Sequence, residues 1–133
     1  MIVADTNLIA SLWLPSKFQD LAYQVLEKDS EWIAPLLWRS ELRNVMAQYL
    51  RKNILDLPTV LKALQEAENL MYEKSYTVNP TDVIQLVLKS DCSAYDCEFV
   101  ALADDLSVQL VTFDKQICRE FPKIAVHPKD FVN

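Results

Sequence analysis

Glycine is absent from all 133 residues of this chain. That excludes the glycine-rich phosphate loops of both Walker and Rossmann type, and with them most folds that hold a nucleotide in a backbone cradle. Helix ends must be finished by other residues, and Asn53, following Arg51 and Lys52, is placed to take the left-handed cap conformation. Histidine occurs once, at His127, which argues against Ser-His-Asp and Cys-His mechanisms. Three cysteines, Cys92, Cys97 and Cys118, cannot all pair within the chain, and their spacing matches no zinc pattern. They read as reduced thiols of a cytosolic protein. No apolar run approaches the ~20 residues of a membrane span. The N-terminus lacks the basic-then-apolar pattern of a signal peptide. No membrane association is expected, and the cytoplasm is the expected location. Positive charge is also short: 13 Lys and Arg against 19 Asp and Glu leave a net charge of −6. Such a chain does not coat nucleic acid non-specifically, but a local site whose acids hold cations stays open.

What is present in quantity is apolar surface, 51% of residues, which places the chain among globular proteins. Its length suits a single domain, residues 1–133, that buries roughly two-thirds of its unfolded surface. Residues 1–5 read as a buried strand, and residues 7–14 as a short helix stopped by Pro15. Phe18, Leu21, Ala22, Val25 and Leu26 give helical spacing over 16–29. A strand follows at 31–34. Pro35 can open the next helix, which runs to about Lys52. Further helices are expected over 56–71, from Asn79 onward, over 94–106 and over 114–121. Short strands are expected at 76–78, 108–112 and 124–126. Strands alternating with helices predict an α/β fold, with helices on both faces of a mostly parallel sheet of four or five short strands. Ligands of such folds gather beyond the carboxyl ends of the strands.

Two carboxylates stand at such ends: Asp5 closes the first strand, and Asp114 lies two residues after VQLVT. Two more sit on inward helix faces. Glu41 has Leu37, Trp38 and Val45 as its helical neighbours, and Asp96 has Phe99, Val100 and Ala103. A carboxylate on an apolar face costs several kcal/mol unless it is paired or bound to a metal. The 94–106 helix contains no Lys or Arg to pair with Asp96. Hard divalent cations prefer all-oxygen sites of this kind. They can activate water and stabilise the leaving oxygen in phosphodiester cleavage without histidine or cysteine.

The stretches DTN at 5–7, SELRNV at 40–45, SAYDCEFVALA at 93–103 and LVTFD at 110–114 resemble the four acidic motifs of PIN-domain ribonucleases. The chain is most similar in this respect to the VapC toxins of bacterial and archaeal toxin–antitoxin pairs. Order and spacing agree over nearly the whole chain. The resemblance implies a PIN-like three-layer α/β/α fold and a metal-dependent endoribonuclease. It implies Asp5, Glu41, Asp96 and Asp114 as metal-binding, catalytic acids, with Thr6, Asn7 and Thr112 supporting them through hydrogen bonds. It further implies Mg²⁺ or Mn²⁺ as cofactor, RNA as substrate, a homodimer, and a cognate antitoxin that inserts a segment into the site. One departure is visible: Ser107 stands where the turn before VQLVT usually carries glycine.

Arg39, Arg43 and Lys115 flank the acids and could contact phosphate or merely balance charge. Trp13, Trp32 and Trp38 could stack on bases, but packing in the core or at an interface is the reading the sequence favours. Asp82 reads as a first-turn acid favoured by the helix dipole, and Glu98 as a surface residue. Two rival functions are compatible with parts of the pattern. One is an inactive PIN-like binding or scaffolding module. The other is a phosphoaspartyl phosphatase or receiver-like protein using Asp5, against which Asn7 occupies the position where the phosphatases carry a second acid.

Overall fold

The computed structural model describes all of residues 1–133. The first strand, β1 (Ile2–Ala4), is buried along its full length and leads into α1 (Thr6–Ser11). Helix α2 (Gln19–Lys28) precedes β2 (Trp32–Pro35). Helices α3 (Trp38–Arg51) and α4 (Leu57–Leu70) precede β3 (Ser75–Tyr76). Helices α5 (Pro80–Leu88) and α6 (Ala94–Leu106) precede β4 (Leu110–Val111). The chain then runs through α7 (Lys115–Glu120), β5 (Ala125–Val126) and α8 (Pro128–Val132).

The five strands form one sheet in the order β3-β2-β1-β4-β5, and every pairing is parallel. The chain starts in the middle, winds outward to β3, then returns to the other side of β1. Right-handed crossovers place α1–α4 over one face and α5–α7 over the other. Packing agrees: α1 contacts α2 and α3, α3 contacts α4, and α6 lies against α5 and strands β1, β2 and β4. The result is the expected three-layer α/β/α architecture. Its direction reverses between β1 and β4, and the crevice beyond their carboxyl ends is where such folds bind ligands.

The core explains the hydrophobic pattern. Strands β1, β2 and β4 are covered on both faces, so they are apolar runs rather than alternating ones. Helix α6 buries Cys97, Phe99, Val100, Ala101, Leu102 and Ala103, which is why it reads as apolar on most sides. All three tryptophans pack inward with their N–H groups satisfied. Trp13 donates to Glu66, Trp32 to the Asp29 carbonyl and Trp38 to Ser75. They anchor the core rather than offering free faces to bases.

Local signals resolve as expected at several ends. Asp56, Asn79 and Ser93 cap α4, α5 and α6 through their side chains. Asn53 takes the left-handed conformation (φ 57°). Ser107, at the turn before β4, is also left-handed (φ 55°) and closes α6. Pro35 differs from expectation, since it ends β2 instead of opening α3. Its neighbours Ala34 and Leu36 donate to Lys74 and Tyr76 of the β3 side. The missing Pro35 N–H falls on the β1 side, beyond the paired residues of β1, so no ladder bond is lost. The strand expected at 76–78 lies instead at Ser75–Tyr76, and those expected at 108–112 and 124–126 shrink to two residues each. Helix α8, opened by His127 and Pro128, was not expected.

Candidate metal centre

Each of the four acids occupies a position that its local sequence dictates. Asp5 follows β1 and caps α1, its Oδ1 accepting from the Thr6 backbone N–H at 2.8 Å. Its Oδ2 accepts from Thr112 Oγ1 at 2.5 Å. Thr112 continues β4, pairs its own N–H with Val126 and is fully buried. The same hydroxyl oxygen accepts from the Asp114 backbone N–H at 3.0 Å. Asp114 in turn caps α7 through the Ile117 N–H. Glu41, in the first turn of α3, accepts from Thr6 Oγ1 at 2.7 Å. Asp96 is the third residue of α6, and its N–H is held by the capping Ser93 at 3.1 Å.

These elements bring the four carboxylates around one cavity of about 150 Å³, lined by Asp5, Thr6, Asn7, Glu41, Asn44, Val45, Asp96 and Asp114. It opens at the reversal point of the sheet. None of the four has a cationic partner. The ion pairs of the molecule lie elsewhere, joining the N-terminus to Asp29 and Glu31, Arg39 to Glu68, Lys62 to Glu66, and Lys74 to Glu31.

The electrostatic consequence is visible in the acidities. Burial raises the Asp5 pKa to about 6, against the opposing pull of the Thr112 and Thr6 hydrogen bonds, and nearby Glu41 and Asp96 raise it further. Glu41 is raised by burial, with Thr6 opposing and Asp96 and Glu98 adding repulsion. Asp96 is raised by burial, with Ser93 opposing and Asp114 adding repulsion. Glu98, read from sequence as surface, is half-buried and raised by desolvation.

The donor set is entirely oxygen, which suits a hard cation. No three His, Cys, Asp or Glu side chains stand close enough together to hold a metal ion between them. An open cup suits Mg²⁺, which retains several of its waters, better than it suits a cation that demands full protein ligation. The donor chemistry, rather than an assembled ligand cluster, is what suits a partly hydrated divalent ion.

The flanking cations are arranged differently. Arg39 pairs with Glu68 at 2.8 Å and lies over the Trp38 ring. With Arg43 it lines a separate groove between α3 and α4, not the acidic cavity. Lys115 opens α7 beside Asp114 but is exposed and outside the cavity lining. Asn44, which does line the cavity, was missed by sequence reasoning. It lies three residues after Glu41, the helical spacing that puts two side chains on one face, and that was the available signal.

Residues 2–123 match the profile of the PIN domain family. The chain is 27% identical over 126 residues to a protein named Ribonuclease VapC3 from Pyrobaculum aerophilum, covering 92% of this chain and 96% of that one. The crystal structure of PAE2754, also from Pyrobaculum aerophilum, superposes with a TM-score of 0.78 at 15% identity. It covers 98% of this chain and 92% of that one, and supports the fold.

Proposed function

The chain belongs to the PIN domain family, and from that premise we propose that it is a metal-dependent endoribonuclease of the VapC toxin type. The observation that carries this reading is the convergence of four carboxylates, none with a cationic partner, on one cavity at the reversal point of the sheet. The relative named Ribonuclease VapC3 supports it. Asp5, Glu41, Asp96 and Asp114 would hold Mg²⁺ or Mn²⁺. When bound, the ion supplies an activated water and charge stabilisation for the leaving oxygen of an RNA phosphodiester.

The chain's own residues orient that site. Thr112 fixes one oxygen of Asp5 and the Thr6 N–H fixes the other. Thr6 Oγ1 holds Glu41. Thr112, through the Asp114 N–H, ties the end of β4 to the end of β1. Asn7 and Asn44 on the cavity lining present amide groups able to hydrogen-bond a phosphate oxygen. The regulatory part of the reading is a cognate antitoxin that inserts a segment into this cavity, and the working form is a homodimer. No helix is long and apolar enough to cross a membrane.

The test is incubation of the purified protein with single-stranded RNA and Mg²⁺ or Mn²⁺, with EDTA and an Asp5→Asn variant as controls. Cleavage that requires the ion and is lost in Asp5→Asn supports the reading. Cleavage that survives both contradicts it. A folded protein that neither binds Mn²⁺ nor cleaves RNA is the binding or scaffolding module instead.

A further inference from the structure

A second, larger groove adjoins the acidic cavity. It encloses about 350 Å³ and shares Asn7 and Val45 with the acidic lining, so the two are immediate neighbours. Its lining is mixed: Phe18, Phe113 and Tyr49 supply aromatic rings, and Asn7, Ser11 and Gln48 supply amide and hydroxyl groups. Phe18 and Phe113 pack against each other, ring centroids 4.7 Å apart, and His127 meets Phe113 edge-on. Phe18 is 40% exposed, an unusual placement for a phenylalanine that the core does not use. Lys17 lies over its ring at 5.2 Å, putting a cation at the groove mouth of an otherwise acidic protein.

We infer that this groove is a nucleotide subsite, in which a base flanking the scissile phosphate packs against the Phe18–Phe113 wall. The inference rests on the ribonuclease reading of the acidic cavity. Single-stranded RNA is recognised by packing unstacked bases on aromatic side chains and hydrogen-bonding their edges. The groove offers both, aromatic rings from Phe18, Phe113 and Tyr49 and the amides of Asn7 and Gln48, which donate and accept. Adjacency selects the occupant: a strand with its phosphate over the four acids can lay its neighbouring nucleotide past Asn7 and Val45. Lys17 then meets the next phosphate. The wall tolerates any base, because every base has a π face, so selectivity arises from the edge contacts of Asn7 and Gln48.

The test uses a short single-stranded RNA carrying 2-aminopurine, with wild type, Phe18→Leu and Phe18→Tyr. Wild type should quench the 2-aminopurine on binding. Phe18→Leu, which keeps an apolar side chain but no ring, should lose the quenching and raise KM about tenfold, within the range seen when a stacking side chain is removed. Phe18→Tyr should restore both. Mn²⁺ should raise the melting temperature of all three proteins equally, which separates this groove from the metal site. Identical quenching and KM in Phe18→Leu and wild type overturn the subsite while leaving the ribonuclease reading intact. Wild type that neither quenches nor cleaves the probe overturns both. Unchanged RNA kinetics with weakened binding of a polypeptide partner would assign the groove to protein and overturn the inference.

Discussion

Thr112 Oγ1 donates to Asp5 Oδ2 at 2.5 Å, a bond between residues 107 apart in sequence. It spans the two strands between which the sheet reverses direction. It is also one of two interactions that favour the charged form of the buried Asp5 carboxylate, the other being the Thr6 N–H. The same hydroxyl oxygen receives the Asp114 N–H, so one buried side chain sets the relative position of two of the four acids.

Thr112→Val therefore removes two bonds while keeping the shape. A hydrogen bond to a charged group contributes about 1.5–3 kcal/mol, and the orphaned carboxylate adds a desolvation cost. Urea unfolding should show a loss of about 2–3 kcal/mol for Thr112→Val and a much smaller loss for Thr112→Ser, which retains the hydroxyl. Equal losses would mean that the methyl group, not the hydroxyl, is what matters.

Asp5→Asn separates stability from activity. Neutralising a desolvated carboxylate that also faces Glu41 and Asp96 should leave metal-free protein as stable as wild type or more so. Cleavage should fall by at least about a hundredfold, since a bound ion contributes several kcal/mol and each 1.36 kcal/mol is tenfold in rate. Parallel melting and cleavage assays check both halves.

The acidity of Asp5 gives a signed pH dependence. Its folded pKa, about 6, lies above its ordinary 3.8, so between those values the folded state binds more protons than the unfolded. The Asp5 contribution to the stability of the metal-free protein therefore falls as pH rises through this window, and the loss is complete above pH 6. The gap amounts to roughly 3 kcal/mol. Glu41 and Asp96 act in the same direction. Asp29, lowered by the N-terminal ammonium against its own desolvation, acts in the opposite one, as do Asp56 and Glu120, lowered by the hydrogen bonds they accept. The difference between wild type and Asp5→Asn, measured by urea unfolding in EDTA from pH 3.5 to 7.5, isolates the Asp5 contribution. A flat difference contradicts the burial of its charge.

Ser107 supplies a test remote from the site. It holds φ 55° at the end of α6, a conformation that costs a non-glycine residue about 1–2 kcal/mol. Ser107→Gly removes that cost but frees the unfolded chain, so a net gain of about 0.5–1 kcal/mol is expected. Thermal melting should show it, with cleavage unaltered.

Much of the fold was legible because period and punctuation agreed. Helix α6 runs over the expected 94–106, since Ser93 caps it and its buried residues leave no other reading. Asn53 was legible because a glycine-free chain has few residues suited to a left-handed turn. Pro35 misled, because a proline after a short apolar run looks the same at a helix start and at a strand end whose missing N–H is never needed. Helix α8 escaped because one turn shows no period. It is held from outside, where Lys28 donates to the Phe131 carbonyl and lies over its ring at 4.8 Å. In the site, Asp5 and Asp114 stood out as acids at strand ends, and Glu41 and Asp96 as carboxylates on apolar helix faces. Asn44 did not, because an uncharged polar residue on a helix attracts no attention without its neighbours. Nor could sequence show that Arg39 turns away to Glu68, a choice made by the packing of α4.

The central claim is that Asp5, Glu41, Asp96 and Asp114 share a divalent cation. Its most direct test is the melting temperature of metal-free wild type and Asp5→Asn across a Mn²⁺ titration at pH 7.5. A ligand at a hundred times its Kd stabilises the folded state by about 2.7 kcal/mol, a rise of several degrees for a chain of this size. The account predicts that rise in wild type and its loss in Asp5→Asn. A melting temperature that saturating Mn²⁺ leaves unmoved, or that it raises equally in the two proteins, would contradict it.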